Sequence, residues 1–152
     1  MLRREPIAIA IENMKALKGE LLNGHNEKAF QMDYWQSPDA AEWECGFAGC
    51  FLGWATHRGW YKGMTPEPYL ASVNGDARVH WEFHGSTITS SAIGLATLFG
   101  IKPEHADWII LPTRYRDENN VTIDEVIERL EALHDGGVDA LREIVTRDKD
   151  LE

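Results

Sequence analysis

Apolar side chains recur at helical spacing through the first 24 residues of the chain. Positions three or four residues apart fall on one face of a helix, and Pro6 suits a first turn, where proline removes no hydrogen bond. The pattern predicts a helix over residues 6–22 that ends at Asn23-Gly24. The apolar side chains on its predicted inner face are Ile7, Ile11, Met14, Leu17 and Leu21.

A second segment, Glu44-Cys-Gly-Phe-Ala-Gly-Cys-Phe-Leu-Gly-Trp-Ala55, has almost no polar positions. We predict a helix over residues 46–58 that is buried, because a helix without a polar face has no side to turn to water. Its glycines lie close to one stripe, where the missing side chains let a helix or a tryptophan ring approach the backbone. The structural motif predicted here consists of Cys45, Gly46, Gly49, Cys50, Gly53 and Trp54.

The segment over residues 60–88 favours β-structure. Apolar runs at residues 69–73 and 77–83 are joined by Asn74-Gly75-Asp76, and Asn-Gly between apolar runs is a strong hairpin signal. The second run alternates in polarity, so its two sets of side chains face opposite sides of a sheet. The apolar side carries Val79, Trp81 and Phe83, and the polar side carries Arg78, His80, Glu82 and His84.

Two further helices follow the hairpin. Thr89 or Ser90 is a suitable N-cap for a helix over residues 89–100, which Gly100 ends. A short helix over residues 103–110 begins with a proline in its first turn and is followed by Pro112. The inward side chains predicted for the first of these helices are Ile93, Ala96 and Leu98.

The last third begins with a predicted polar loop over residues 113–121. Thr122-Ile-Asp-Glu125 has the capping-box pattern and opens a helix to about residue 134, before Gly136-Gly137 breaks the chain. A final helix is expected over residues 138–147, followed by a frayed tail from Asp148 to Glu152.

These elements predict one globular domain over residues 1–152. Its class is mainly α (α+β), a compact bundle of about five or six helices around the buried glycine, cysteine and tryptophan helix. A small β-hairpin near residues 69–84 completes the predicted fold.

The chain has a net charge of −10. Residues 102–152 hold 14 acidic and 7 basic residues, a net charge of −7. Direct binding to nucleic acid is disfavoured, because it requires lysine and arginine to neutralise phosphates. An acidic surface suits a basic protein partner, although it also serves simply to keep a protein soluble.

Targeting and membrane segments are not indicated by the sequence. Charged residues interrupt the N-terminal apolar pattern, and no apolar run has the length of a membrane span. We therefore expect a cytoplasmic protein that does not enter a membrane.

Cys45 and Cys50 are the candidates for metal or thiol chemistry. On a helix, five residues separate side chains by about 140°, so the two sulfurs could face one ion only if Cys45 precedes the helix and Cys50 lies within it. A metal would need another ligand such as His57, and a reactive thiol would need a positioned base that no spacing identifies. The alternative, that both are small buried apolar residues, predicts no metal, no cofactor and no catalytic residue.

Arg114-Tyr-Arg116 is a compact basic spot within the acidic third. It suits the binding of a carboxylate or phosphate, or simple pairing with Asp117 and Glu118. The residues predicted to bind a partner are Arg114, Arg116, Asp117, Glu118, Asp124 and Glu128.

The run from Cys45 to Ala55 resembles a motif of small uncharacterised bacteriophage and bacterial proteins, Cys-Gly-Thr-x-x-Cys-x-x-Gly-Trp-Ala. Similar surroundings extend over about residues 7–133, including Phe30-Gln-Met-Asp-Tyr-Trp35 and Leu98-Phe99-Gly100. This chain has Phe47 where the family has threonine. The resemblance implies a phage or prophage origin and assigns no reaction.

Three functions follow as hypotheses. The first is a non-enzymatic phage or prophage accessory protein that binds a host or phage protein, as an acidic inhibitor or DNA mimic. The second is an enzyme or sensor that uses Cys45 and Cys50 with a metal or a reactive thiol. The third is a structural homo-oligomer or virion component whose six tryptophans lie partly at a subunit interface.

Overall fold

The computed structural model describes residues 1–22, 51–73, 76–117 and 121–149. Five α-helices and a three-stranded antiparallel sheet lie in these ranges, which confirms the predicted mainly helical fold with a small β-element. In chain order the elements are α1 Arg4–Leu22, α2 Phe51–His57, β1 Glu67–Val73, β2 Asp76–Phe83, β3 Ser86–Ile88, α3 Ser91–Phe99, α4 Pro103–Ile110 and α5 Ile123–Asp148.

Helix α1 packs antiparallel to the first half of α5. The Nε of Arg4 donates to the carbonyl oxygen of His134 at 2.9 Å, and Lys18 Nζ lies 2.6 Å from the carboxylate of Asp124. The start of α1 therefore lies beside the end of the first half of α5, and the end of α1 lies beside its start. The predicted inner face of α1 is confirmed at Ile7, Met14 and Leu17, which are buried together with Ala10. Ile11 is only partly buried, and the Leu21 side chain is not among those described.

Helix α2 is buried over five consecutive residues, from Phe51 to Ala55. This burial matches the lack of polar positions in the sequence. Beyond the helix, Gly59 has a φ of 67°, a left-handed conformation that glycine adopts readily. The first five residues of the predicted helix, which include Gly46, Gly49 and Cys50, lie outside the described residues, as does Cys45 before it.

Strands β1 and β2 form the predicted hairpin. Val73 pairs with Asp76, which leaves two residues between the strands. Val79 and Trp81 are buried on the inner side of β2, whereas Arg78 and Glu82 are exposed. The alternation predicted for these positions is confirmed.

A third strand, β3, is missing from the sequence prediction. Phe83 pairs with Ser86, so His84 and Gly85 form a two-residue turn. Their φ angles are 49° and 82°, and positive φ at both central residues defines a type I′ turn. His-Gly is not among the residue pairs typical of such turns, so the sequence carries no clear signal. The sequence predicted His84 on the polar face of β2, and this is wrong, because His84 lies in the turn.

Helix α3 has the predicted caps. The Ser90 hydroxyl accepts a hydrogen bond from the Ile93 amide, and Gly100 ends the helix with a φ of 74°. The inward placement of Ile93 is wrong, since this residue is 48% exposed. Leu95 faces the core. Ile93, two positions earlier, lies about 200° around the helix from Leu95 and therefore faces away from the core. The buried large side chains of α3 are Leu95, Leu98 and Phe99.

The link between α4 and α5 is only partly a polar loop. It begins with a 3₁₀ turn at Pro112–Arg114. Tyr115 and Val121 are buried, contrary to the prediction, and the Tyr115 hydroxyl donates to the carbonyl oxygen of Ile109 at 2.5 Å. This hydrogen bond lets the phenol occupy the core without an unpaired polar group.

Helix α5 consists of two arms. The capping box is present, with the Thr122 hydroxyl accepting from the Glu125 amide and the Glu125 carboxylate accepting from the Thr122 amide. Gly137 is non-helical, with φ 76° and ψ −165°, and separates a first arm (residues 123–136) from a second arm (138–148). The predicted break at the glycine pair is confirmed.

Candidate functional site

Three arginine side chains converge on the carboxylate of Asp148, at the end of α5. Arg129 Nη2 donates to Oδ2 at 2.9 Å, while Arg116 Nη2 and Arg147 Nε donate to Oδ1 at 3.1 and 3.0 Å. We call these four residues the Asp148 cluster. The prediction that the frayed tail begins at Asp148 is wrong, because its carboxylate is only 3% exposed and holds the two arms together.

Arg129 is the buried member of the cluster, with no exposed surface. Its Nη1 donates to the carbonyl oxygen of Trp108 at 2.6 Å, and its guanidinium lies 3.6 Å from the ring centre of Tyr115. A buried guanidinium is tolerated only when it is paired and hydrogen-bonded, and Asp148 supplies the compensating charge. The cluster therefore joins α4, the linker and both arms of α5.

The charges of the Asp148 cluster stabilise one another. Burial raises the pKa of Asp148, but hydrogen bonds from Arg147 and Arg129 outweigh it and hold the pKa below its ordinary value. Hydrogen bonds to Glu128 and Asp148 raise the pKa of Arg147. The carboxylate of Asp148 and the guanidinium of Arg147 are thus both ionised at neutral pH.

The structure brings only two of the predicted partner-binding residues together. Arg116 and Glu128 are brought together, because Arg147 bridges Asp148 to Glu128 with an Nη2–Oε1 distance of 2.8 Å. The others lie apart. Asp124 pairs with Lys18 of α1, Arg114 lies in the 3₁₀ turn, Asp117 is exposed in the linker, and Glu118 lies outside the described residues.

Asp107 is the acidic group that Arg114 influences. Burial raises the pKa of Asp107 above its ordinary value, and the positive charge of Arg114 opposes this effect. The basic spot of the sequence is therefore divided in the fold. Arg116 donates to Asp148 at 3.1 Å, a residue that the pairing prediction, which named Asp117 and Glu118, did not include.

Four carboxylates form a stripe along the first arm of α5. Asp124, Glu128, Glu131 and Asp135 are spaced by four, three and four residues, which places them on one side of a helix over about 16 Å. Their side chains are between 45% and 79% exposed. We call these residues the acidic stripe. The helical spacing was visible in the sequence, but the prediction included only Asp124 and Glu128.

The stripe borders a groove of about 350 Å³ between α1 and α5. Ala8 and Ile11 supply its apolar surface, and the polar side chains around it are mostly acidic. The residues that line it are Ala8, Ile11, Glu12, Lys15, Glu131, His134 and Asp135.

The cysteine-based site is only partly visible. Of the three residues named as ligands if a metal were bound, only His57 is described, and it lies at the end of α2, where burial and then Arg58 lower its pKa. Within the described ranges no group of three histidine, cysteine, aspartate or glutamate side chains is placed to hold a metal ion. Gly53 and Trp54 of the structural motif are buried in α2.

The comparisons with known proteins add no family or fold relative. No protein-family model, curated protein or solved structure matches the chain. Among the described helices, none is both long enough and apolar enough to span a bilayer.

Proposed function

We propose that this chain is a cytoplasmic accessory protein of a bacteriophage or prophage that acts by binding another protein and not by catalysis. The observation that carries the proposal is the acidic stripe on α5. It places four exposed carboxylates on one side of a helix, and the resemblance of the Cys45–Ala55 run supports the phage origin. The partner surface is basic, as expected for an inhibitor of a DNA-binding protein or for a DNA mimic.

The ion pairs within the stripe leave it open to a partner. Lys18 and Lys15 pair with Asp124 and Glu131, but these side chains are all more than 40% exposed. Exposed pairs contribute about 0–1 kcal/mol, so a lysine or arginine of a partner replaces them at little cost. The groove supports the same partner class, because Ala8 and Ile11 offer apolar contact to the stem of a long basic side chain.

Capture from bacterial host lysate tests the proposal. We expect immobilised full-length protein to retain a partner with a basic surface at low salt and to release it as salt rises, because exposed charge pairs are screened. Retention of no partner at either low or moderate salt would contradict it.

Two further measurements separate the other hypotheses. Light scattering of the purified chain detects a homo-oligomer, whereas the proposal requires no self-association. Metal analysis and thiol titration address Cys45 and Cys50. One zinc per chain, lost together with the fold on Cys50→Ser, would favour the metal-dependent alternative.

A further inference from the structure

His105 is a buried histidine on α4, at the point where this helix meets α5. Only 8% of the residue is exposed, and its Nδ1 has no hydrogen-bond partner among the described residues. An unpaired ring nitrogen in an apolar setting is tolerated when the imidazole is neutral, but a buried imidazolium requires compensation. The burial of His105 with an unpaired Nδ1 therefore favours the neutral ring.

The neighbour of His105 is Trp108, which connects α4 to α5. The two ring centres lie 4.8 Å apart. Arg142, on the second arm of α5, places its guanidinium 5.4 Å from the centre of the Trp108 ring. The carbonyl oxygen of Trp108 accepts the short hydrogen bond from Arg129. The position of Trp108 is thus fixed from both arms of α5, and His105 packs against it.

The charges around His105 do not favour protonation. Burial is the largest effect and lowers its pKa, and Arg142 of α5 and Lys102, the residue before α4, lower it further. Glu104 acts in the opposite direction, but its carboxylate is 69% exposed and lies 3.7 Å from Nε2, beyond hydrogen-bonding distance. Protonation would place a second cation beside Trp108, and the only carboxylate that the described residues place near the ring is the exposed Glu104.

We propose that His105 makes the packing of α4 against α5 sensitive to pH. The neutral ring packs on Trp108 and holds the two helices together. The protonated ring leaves this position for solvent, and the contact between α4 and the second arm of α5 opens. The rest of the fold, including the contact between α1 and the first arm, does not depend on this histidine.

Nuclear magnetic resonance tests this on the full chain. We expect His105 to titrate below the ordinary histidine value of about 6.5, and its protonation to accelerate amide exchange in α4. If α4 takes up one proton when it opens, the equilibrium constant for opening rises by up to tenfold for each unit that the pH falls below 6.5. This constant is obtained from the exchange rates after correction for intrinsic exchange. Amides in the interior of α1 should show no such increase.

A matched pair of variants identifies the group. His105→Asn removes the titration and should abolish the pH dependence of α4 exchange, whereas His84→Asn, in the exposed turn between β2 and β3, should leave it unchanged. If His105→Asn does not fold, the wild-type titration and exchange still decide. Titration of His105 at or above 6.5, or α4 exchange that does not follow it, would overturn the proposal.

Discussion

The indole of Trp81 occupies the place where a side chain on Gly94 would begin. A β-carbon built on Gly94 would lie 2.2 Å from both Cδ1 and Nε1 of the ring. Atoms do not approach that closely, so strand β2 can insert Trp81 against α3 only because position 94 has no side chain. The contact is central to the fold, since Trp81 is fully buried.

Gly94→Ala should therefore destabilise the protein. Forcing a methyl group into a filled space costs about 1–3 kcal/mol or more, which exceeds the roughly 0.5–1 kcal/mol that alanine gains over glycine in a helix. Urea unfolding followed by circular dichroism measures the difference. The matched control is Gly19→Ala in α1, where a β-carbon meets nothing within 4 Å, and a small gain in stability is expected. Equal effects at the two positions would contradict this account.

The Trp81–Gly94 contact shows what the sequence could and could not predict. Short-range signals were sufficient for the helix at Pro103–Ile110, the capping box at Thr122 and the first hairpin. The sequence also suggested that glycines admit a neighbouring ring, but it suggested this for the segment around Gly53. Nothing local marks Gly94, because its partner lies on a strand 13 residues earlier in the chain.

The Asp148 cluster was missed for the same physical reason. A charge at position 129 appears in the sequence as one more polar residue of an amphipathic helix, and Asp148 as part of a charged tail. Their pairing depends on the change of direction at Gly137, which brings together residues 19 positions apart. The secondary-structure pattern of the sequence does not show that these two residues are close in space.

Asp148→Asn should remove the charge that compensates Arg129. Breaking a buried ion pair leaves an uncompensated charge and typically costs about 3–5 kcal/mol, so we expect a loss of that order from the free energy of unfolding. The control is Asp139→Asn, whose side chain is 94% exposed and pairs with Arg142. It should change stability by less than about 1 kcal/mol. A neutral effect of Asp148→Asn would mean that the cluster does not stabilise the fold.

The cluster also predicts how stability depends on acid. The pKa of Asp148 is lower in the folded chain than in the unfolded chain. Its contribution to the free energy of unfolding is therefore complete above the unfolded pKa of about 3.9, and it is lost as the pH falls through the folded pKa. Unfolding free energies measured from pH 5 downwards should fall more steeply for the wild type than for Asp148→Asn. Parallel curves would contradict the assignment.

Gly53 in the buried helix α2 and Cys50, which precedes that helix in the sequence, are predicted to respond differently to substitution. Gly53 lies within five consecutive buried residues, so Gly53→Leu should abolish folding through overpacking. Cys50→Ala, which lies outside the described residues, should be mild if the cysteine is a small apolar residue. Circular dichroism and thermal unfolding of the two variants test this. A strongly destabilised Cys50→Ala would instead indicate a metal or thiol role.

The binding of a captured partner by two charge variants tests the proposed function most directly. The first variant carries Asp124→Asn, Glu131→Gln and Asp135→Asn, which neutralise the acidic stripe but keep Glu128 beside the Asp148 cluster. The second removes the same number of exposed carboxylates elsewhere, with Glu5→Gln, Glu20→Gln and Glu104→Gln. We predict that the stripe variant binds the partner at least about tenfold more weakly, a loss of about 1.4 kcal/mol, while the second variant binds within about twofold of wild type. Equal loss in both variants, or no loss in the stripe variant, would contradict the proposal that the acidic stripe binds the partner.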